Sequence, residues 1–246
     1  MTTFNGDCLE VMRDFSTNVI DLLFCDLPYG ETSCKWDSKL NLETFWKEVN
    51  RICKPNCPMF FTTTTRFGVE LINSNPKNFR YDLVWVKSAG TGFLNAKKMP
   101  MRKHELIYVF YRKLPHYDLS SHKHKFLNDY KAVSEPHTQK ELKVYGEGSH
   151  DNEYIGEARK ANVYEPSLPS SILEIKNERK KHTTQKPIEL IKWILKYYSK
   201  EGDTILDPTM GSGTTLIACK QMNRKYIGIE KDEKIYKEAL ERLSNI

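Results

Sequence analysis

Val19-Ile20-Asp21-Leu22-Leu23-Phe24-Cys25 runs directly into Asp26-Leu27-Pro28-Tyr29. The first part has the near-continuous apolar character of a strand buried on both faces, as in a parallel sheet. The second part is a short, stiff turn that carries a carboxylate and an aromatic ring. A similar junction recurs far along the chain, where Thr204-Ile205-Leu206 leads into Asp207-Pro208-Thr209-Met210-Gly211-Ser212-Gly213 and then a helix. One turn suits an amino group and a flat ring, and the other suits a nucleoside-bearing ligand. The two are expected to meet.

Working outward, strand-like and helix-like segments alternate. Asp7 is placed to cap a short helix, with Glu10 three residues on in a capping-box arrangement. Leu42, Phe45, Trp46, Val49 and Ile52 fall at helical spacing within 41–53, and Pro55-Asn56 ends that helix. Residues 59–63 read as a strand and 67–73 as a helix. Residues 81–86 and 106–111 read as strands rich in aromatic and β-branched side chains. Pro187 is placed as a first helical residue ahead of the stripe Ile188, Ile191, Ile194 and Leu195. The tail reads as strand 204–206, helix 214–222, strand 226–229 and helix 233–243. Such alternation predicts an α/β sheet covered on both faces. Between Lys113 and Lys181 the pattern dissolves, which predicts an inserted lobe. The expected organisation is a core half over 1–112, an insertion over 113–181 and a second core half over 182–246.

Charge sets the middle of the chain apart. The whole sequence of 246 residues carries +6. From Trp85 to Lys186 there are 19 Lys and Arg against 12 Asp and Glu, and all seven histidines lie there too. Such a stretch is suited to a polyanion, although a solvated basic surface has the same composition. No apolar run reaches membrane-spanning length and no signal pattern opens the chain, so a cytosolic protein is expected, or a nuclear one in a host with a nucleus. Six cysteines without a Cys-x-x-Cys pair read as reduced thiols. Cys53 with Cys57, and His116 with His122 and His124, lack the spacing of a complete zinc set, so no metal is expected.

The glycine turn reads as a nucleotide site. Glycine admits close backbone approach, and a helix start offers unpaired N–H groups. Gly211-Ser212-Gly213-Thr214-Thr215 lacks the third glycine of the dinucleotide fingerprint and the Gly-Lys-[Ser/Thr] of a phosphate loop. Glu230 closes the next strand, where a carboxylate can accept hydrogen bonds from both ribose hydroxyls. A plain strand-to-helix turn is the alternative.

Together, the two turns resemble the amino-group DNA methyltransferases, whose signature is [Asp/Asn/Ser]-Pro-Pro-Tyr; here Leu27 replaces the first proline. The order, with signature first, basic region next and glycine turn last, is similar to the permuted β group. Further segments share the resemblance: Gly6-Asp7-Cys8-Leu9, Gly30 to Asp37, Thr91 to Glu105, and His182-Thr183-Thr184-Gln185-Lys186-Pro187. It implies an S-adenosylmethionine-dependent methyltransferase (Rossmann-like) α/β fold, circularly permuted, with a mostly parallel seven-stranded sheet and an inserted target-recognition lobe. It implies catalytic roles for Asp26, Leu27, Pro28 and Tyr29. Cofactor contacts are implied from Asp7, Cys8, Leu9, Asp26, Thr183, Gln185, Lys186, Asp207, Pro208, Thr209, Gly211, Ser212, Gly213, Thr214, Thr215, Glu230 and Lys231. DNA contacts are implied from Lys35, Trp36, Asn95, Lys97, Lys98, Arg102, Lys103 and His104.

The implied chemistry is direct transfer to a base nitrogen. The Asp26 carboxylate and a backbone carbonyl, that of Leu27, would hold the amino hydrogens. Pro28 would fix the geometry, and Tyr29 would stack on a base flipped from the duplex. The chain has no Pro-Cys dipeptide of the kind needed for methylation at the cytosine 5-position. Asp at the first signature position goes mostly with adenine N6 in this family. Alternatives are an N4-cytosine enzyme, an RNA methyltransferase and a catalytically silent nucleic-acid-binding subunit. Duplex DNA is the implied partner in a bacterial, phage or viral setting, with room for a homodimer and a cognate restriction enzyme.

Overall fold

The computed structural model describes residues 1–28, 40–122, 168–178 and 185–246. The chain divides into two compact units, Met1–Asp118 with Ser170–Ile246, and Leu119–Pro169. Nearly all of the second unit, including most of the expected insertion, lies outside the described residues. The sheet and its helices belong to the first.

Among the described residues, eight strands form one sheet: β1 (Thr2–Asn5), β2 (Leu22–Cys25), β3 (Met59–Thr63), β4 (Phe79–Thr91), β5 (Arg102–Phe110), β6 (Ile172–Glu174), β7 (Thr204–Asp207) and β8 (Lys225–Glu230). Their spatial order is β1-β8-β7-β2-β3-β5-β4-β6. All neighbours are parallel except β5, which is antiparallel to both β3 and β4. The mostly parallel α/β sheet is the expected class, with eight strands in place of seven. The two strands without a sequence forecast are β1 and β6. Short β1, with its polar ends, joins the edge of the sheet by pairing with β8. β6 is three residues long and lies in the stretch assigned to the insertion.

Helices α1 (Cys8–Val11), α2 (Leu42–Ile52), α3 (Thr65–Ser74), α4 (Ile188–Tyr198), α5 (Thr214–Gln221) and α6 (Glu233–Ser244) cover the sheet. Asn41 caps α2 by accepting from the Thr44 N–H at 2.9 Å, and Thr64 caps α3. Pro187 proves to be the N-cap of α4, outside the helix by one residue. Its ring offers no acceptor to cap the helix start, and the Ile188 N–H is instead satisfied by Glu178 Oε1.

Alternation along β3 shows why both sheet faces are apolar. Phe61 faces Trp46 of α2, with ring centroids 5.3 Å apart. Its neighbour Phe60 faces Tyr198 of α4 at 4.9 Å. Every residue of β2 and β3 is buried; β3 answers with an apolar run that ends in Thr62 and Thr63, and β2 with an unbroken apolar run. The acid within the run, Asp21, accepts from Lys54 Nζ at 2.6 Å and from the Thr204 N–H at 2.9 Å. It thereby ties the start of β2 to β7.

The order places a crevice between β7 and β2. From β7 the chain crosses through α5 to β8 on one side; from β2 it crosses through α2 to β3 on the other. Adjacent strands whose connections diverge leave a gap beyond their carboxyl ends, where open α/β sheets bind ligands. Asp26 follows β2 there, and Asp207 ends β7. Among the described residues, no helix is long and apolar enough to cross a membrane.

Candidate functional site

The two turns meet in that crevice. The Thr209 hydroxyl donates to the Asp26 carbonyl oxygen at 3.1 Å. Its oxygen also lies 3.3 Å from Cys25 Sγ. A hydroxyl has one hydrogen, so the Cys25 thiol is the donor in the second contact. Two carboxylates therefore converge on one space because a threonine of one turn bonds the backbone of the other.

A cavity of about 500 Å³ opens at this point. Of the residues expected to hold a cofactor, Asp7, Cys8, Asp26, Gln185, Lys186, Asp207, Pro208, Thr209, Gly211, Ser212, Thr214, Thr215, Glu230 and Lys231 line it, as does Pro28. Leu9 and Gly213 do not. Thr183, and with it Tyr29, Lys35 and Trp36, lies outside the described residues. The lining also includes Phe24, Leu40, Ile191, Met210, Asp232 and Ile235. Met210 lies within the glycine turn, but no motif singles out any of the six as a contact, although Asp232 is legible as the N-cap of α6, accepting from the Lys234 and Ile235 N–H groups.

The glycine turn has the backbone form its sequence requires. Gly211 and Gly213 have φ of +49° and +77°, a region costly for residues with a Cβ. Gly213 is the N-cap of α5 and has no side chain to cap the helix start. Arg242 of α6 pins the turn from behind, donating to the Ser212 carbonyl at 2.8 Å. Gly228 in β8 packs behind the turn, where an added Cβ would lie 2.5 Å from Met210 Sδ and 2.7 Å from Leu216 Cδ2.

The carboxylates differ in their surroundings. Asp207 is buried, and burial pushes its carboxyl up to about 7 despite hydrogen bonds from the Thr215 side chain and the Thr209 N–H; the charges of Asp26 and Glu230 add to the rise. Glu230 is also raised, chiefly by burial. Its oxygens accept from the Gly211 N–H at 3.0 Å and the Asp232 N–H at 2.9 Å, which leaves further lone pairs for a ligand. Asp7 caps α1 through the Leu9 N–H at 2.9 Å and pairs with Lys231 Nζ at 3.0 Å. Those bonds account for Asp7 structurally, while its position also lines the cavity.

Asp26 is held from two sides. The Thr62 hydroxyl donates to its Oδ1, and Lys186 Nζ donates to Oδ2 at 2.7 Å. No sequence motif singles out Thr62. The β2–β3 register pairs Cys25 with Phe61, and one further step places Thr62 beside Asp26. Lys186 also lies 3.5 Å from Glu105 Oε2.

The six expected DNA-facing residues that are described cluster on the β4–β5 hairpin. Asn95, Lys97 and Lys98 occupy the connection, while Arg102, Lys103 and His104 begin β5 itself. Because β4 runs parallel to β2, β3 and β7 in the sheet, this tip lies at the sheet edge that carries Asp26 and Asp207. Phe93 and Leu94 beside it are 78% and 97% exposed, an unusual amount of bare apolar surface for one turn. Among the described residues no group of three His, Cys, Asp or Glu side chains could hold a metal. Cys8, Cys25, Cys53, Cys57 and Cys219 are free and buried thiols.

Fold and site together define a Rossmann-like α/β protein with a cavity of nucleoside-cofactor size beside a turn built around an aspartate. A family profile for DNA methylases, of the N6/N4 methyltransferase group, matches residues 20–241, and the chain belongs to that family. The type II methyltransferase M.HinfI of Haemophilus influenzae is 28% identical over a 281-residue alignment covering 100% of this chain and 68% of that protein. The crystal structure of the M1.HpyAVI–SAM complex aligns with a TM-score of 0.64 at 21% identity, covering 98% of this chain and 99% of that one. The cytosine-N4-specific PvuII DNA methyltransferase aligns with a TM-score of 0.68 at 14% identity, covering 99% and 90%.

Proposed function

We propose that this chain transfers a methyl group from S-adenosylmethionine to the N6 amino group of adenine at a specific site in duplex DNA. The observation that carries the reading is the direct bond between the turns, Thr209 to the Asp26 carbonyl. It sets the carboxylate assigned to the base against the cavity that the glycine turn lines.

The residues fit the cofactor. The cavity is about 500 Å³, within the range of small-ligand sites. Asp207, Glu230 and Asp7 give it acidic walls suited to a cationic ligand with ribose hydroxyls. When bound, S-adenosylmethionine supplies a methyl group made electrophilic by a positively charged sulfur. Glu230 would accept from the ribose, Asp7 with Cys8 would flank the adenine, and Gln185 with Lys186 would flank the methionine end. The structure of M1.HpyAVI with SAM supports the same ligand class for this fold.

Asp26 and the Leu27 carbonyl would accept the two hydrogens of the base amino group, and Asp26 can receive the proton released after transfer. An exocyclic amino nitrogen is a poor nucleophile because its lone pair is delocalised into the ring. Two acceptors in fixed positions favour the pyramidal form, and fixed placement carries much of the rate. Pro28 limits the backbone, and Tyr29 would stack on the extruded base. The basic hairpin tip with Lys97 and Lys98 would track phosphates.

Adenine is favoured over cytosine by the aspartate at the first signature position. The fold alone does not choose, since the PvuII enzyme is cytosine-N4-specific. Tritium transfer from labelled S-adenosylmethionine to unmethylated duplex DNA, followed by nucleoside analysis, tests the reading. N6-methyladenine is expected; N4-methylcytosine would overturn the base, and transfer confined to RNA would overturn the substrate.

A further inference from the structure

Beneath the β4–β5 hairpin lies a row of four charged side chains. Lys87 of β4 pairs with Glu105 Oε1 of β5. Glu105 Oε2 lies 3.5 Å from Lys186 Nζ. Lys186 in turn reaches Asp26 Oδ2 at 2.7 Å. The charges alternate in sign and sum to zero. The side chains of Lys87 and Lys186 are only 10% and 12% exposed. In such surroundings an ion pair is strong when complete and costly when one member is lost. Burial pulls the Lys186 ammonium down, yet Asp26 and Glu105 outweigh it and hold it raised. Burial likewise pushes Glu105 up, and Lys186 and Lys87 outweigh that and hold it low.

We propose that Glu105 is a positioning residue for methyl transfer: it shares the Lys186 ammonium with Asp26, and so sets how firmly that ammonium grips the carboxylate that must receive the base amino group. The role rests on the amino-methylation reading above. An ammonium has three donors. With Asp26 as its only anion, Lys186 would compete with the incoming amino group for Oδ2. Glu105, at 3.5 Å, offers the ammonium a second seat towards which it can move while keeping a carboxylate partner. Lys87 holds Glu105 in place for that exchange. Glu105 lies on the strand that leaves the exposed tip, so the proposed DNA-facing hairpin and Asp26 share one chain of contacts.

Glu105→Gln tests this. It should lower kcat for transfer to unmethylated phage DNA by about tenfold or more, with KM for S-adenosylmethionine within about twofold. Glu105→Asp, which keeps the charge, should recover part of the rate. If Glu105→Gln fails to fold because two cations are left with one anion, Lys87→Met/Glu105→Gln removes one charge of each sign and should show the same kcat loss. Independently of activity, carbon-13 NMR should show the Glu105 carboxyl titrating higher in Lys186→Met than in the parent. Equal kcat in parent and Glu105→Gln, equal rates in the Gln and Asp variants, or an unmoved Glu105 titration would overturn the role. A parent protein that transfers no methyl group would overturn the underlying reading and the role with it; a transferring parent matched by its variants would overturn the role alone.

Discussion

Asp207→Asn should make the ligand-free protein more stable at neutral and alkaline pH. Asp207 is 4% exposed, and its carboxyl is raised from 3.8 to about 7, first by burial and then by the nearby charges of Asp26 and Glu230. At about 1.4 kcal/mol per pH unit, that rise corresponds to about 4 kcal/mol. The sign follows from the two states. Below about pH 4 the carboxyl is protonated in folded and unfolded chains alike and contributes nothing. Between about pH 4 and pH 7 the unfolded chain releases the proton while the folded chain keeps it, so stability falls as pH rises. Above about 7 the full cost stands against the folded state. Asparagine keeps one acceptor oxygen, for the Thr209 N–H, and cannot ionise. The variant's advantage over the parent should therefore grow from near zero in acid towards a ceiling of about 4 kcal/mol, lowered by relaxation and water entry around the parent's carboxylate. Glu230 is raised too, but it is present in both proteins and cancels. Urea unfolding of both proteins from about pH 5 to about pH 8, at constant ionic strength and without cofactor, reads this difference directly. An advantage that stays flat with pH would refute the assignment. Saturating S-adenosylmethionine should narrow the gap above about pH 7, because its positive charge supports the ionised aspartate.

Asp26→Ala should abolish methyl transfer while calorimetry shows cofactor binding largely retained, since Asp26 is assigned to the base; full activity would sink that assignment. Glu230→Gln should weaken cofactor affinity by about tenfold, the cost of one charge-assisted hydrogen bond, again read by calorimetry. Gly228→Ala should destabilise the fold by about 1–3 kcal/mol in thermal or urea unfolding, because its Cβ would collide with Met210 and Leu216. Lys97→Ala and Lys98→Ala should each reduce the slope of log affinity against log salt for duplex DNA by about 1; unchanged slopes would remove the hairpin tip from the DNA surface.

The segments legible in the sequence are those whose burial dictates their composition. Residues 59–63 form β3 with the expected bounds because both faces are covered and the run is aromatic and β-branched, Met59-Phe60-Phe61 continuing into the buried Thr62 and Thr63. The helix over 41–53 ends within a residue of its forecast because Asn41 caps it and its apolar stripe faces the core. β1 leaves no such pattern because a four-residue edge strand has too few buried positions. β6 is hidden for the same reason, with one buried residue in three. At the site, the turns are legible because glycine and proline constrain backbone locally. Thr62 is not, because its role arises from strand register; Glu105 closes a segment that shares the resemblance, but its pairing with Lys87 and Lys186 arises from cross-strand and tertiary placement, which no local motif encodes. Lys186 shows the same limit. Resemblance assigns its segment to the cofactor, and it does line the cavity, but the seat of its ammonium between Asp26 and Glu105 is set by tertiary placement.

Leu27 is the one departure from the family signature, and the structure gives it a physical account. A proline at that position would stiffen the turn by fixing φ. Leu27 is instead 2% exposed and belongs to the apolar cluster that includes Cys8, Phe45 and Phe61. A buried leucine restrains the backbone through packing, since withdrawing it would expose its surface at a cost of about 1.5–3 kcal/mol. Thr209 adds a second restraint at the preceding carbonyl, and Pro28 still fixes its own φ. The turn is thus held by a core side chain, a cross-turn hydrogen bond and one proline in place of two prolines. What the proposed chemistry asks of the second position is a backbone carbonyl in a fixed place, and an anchored leucine provides that as well as a ring does.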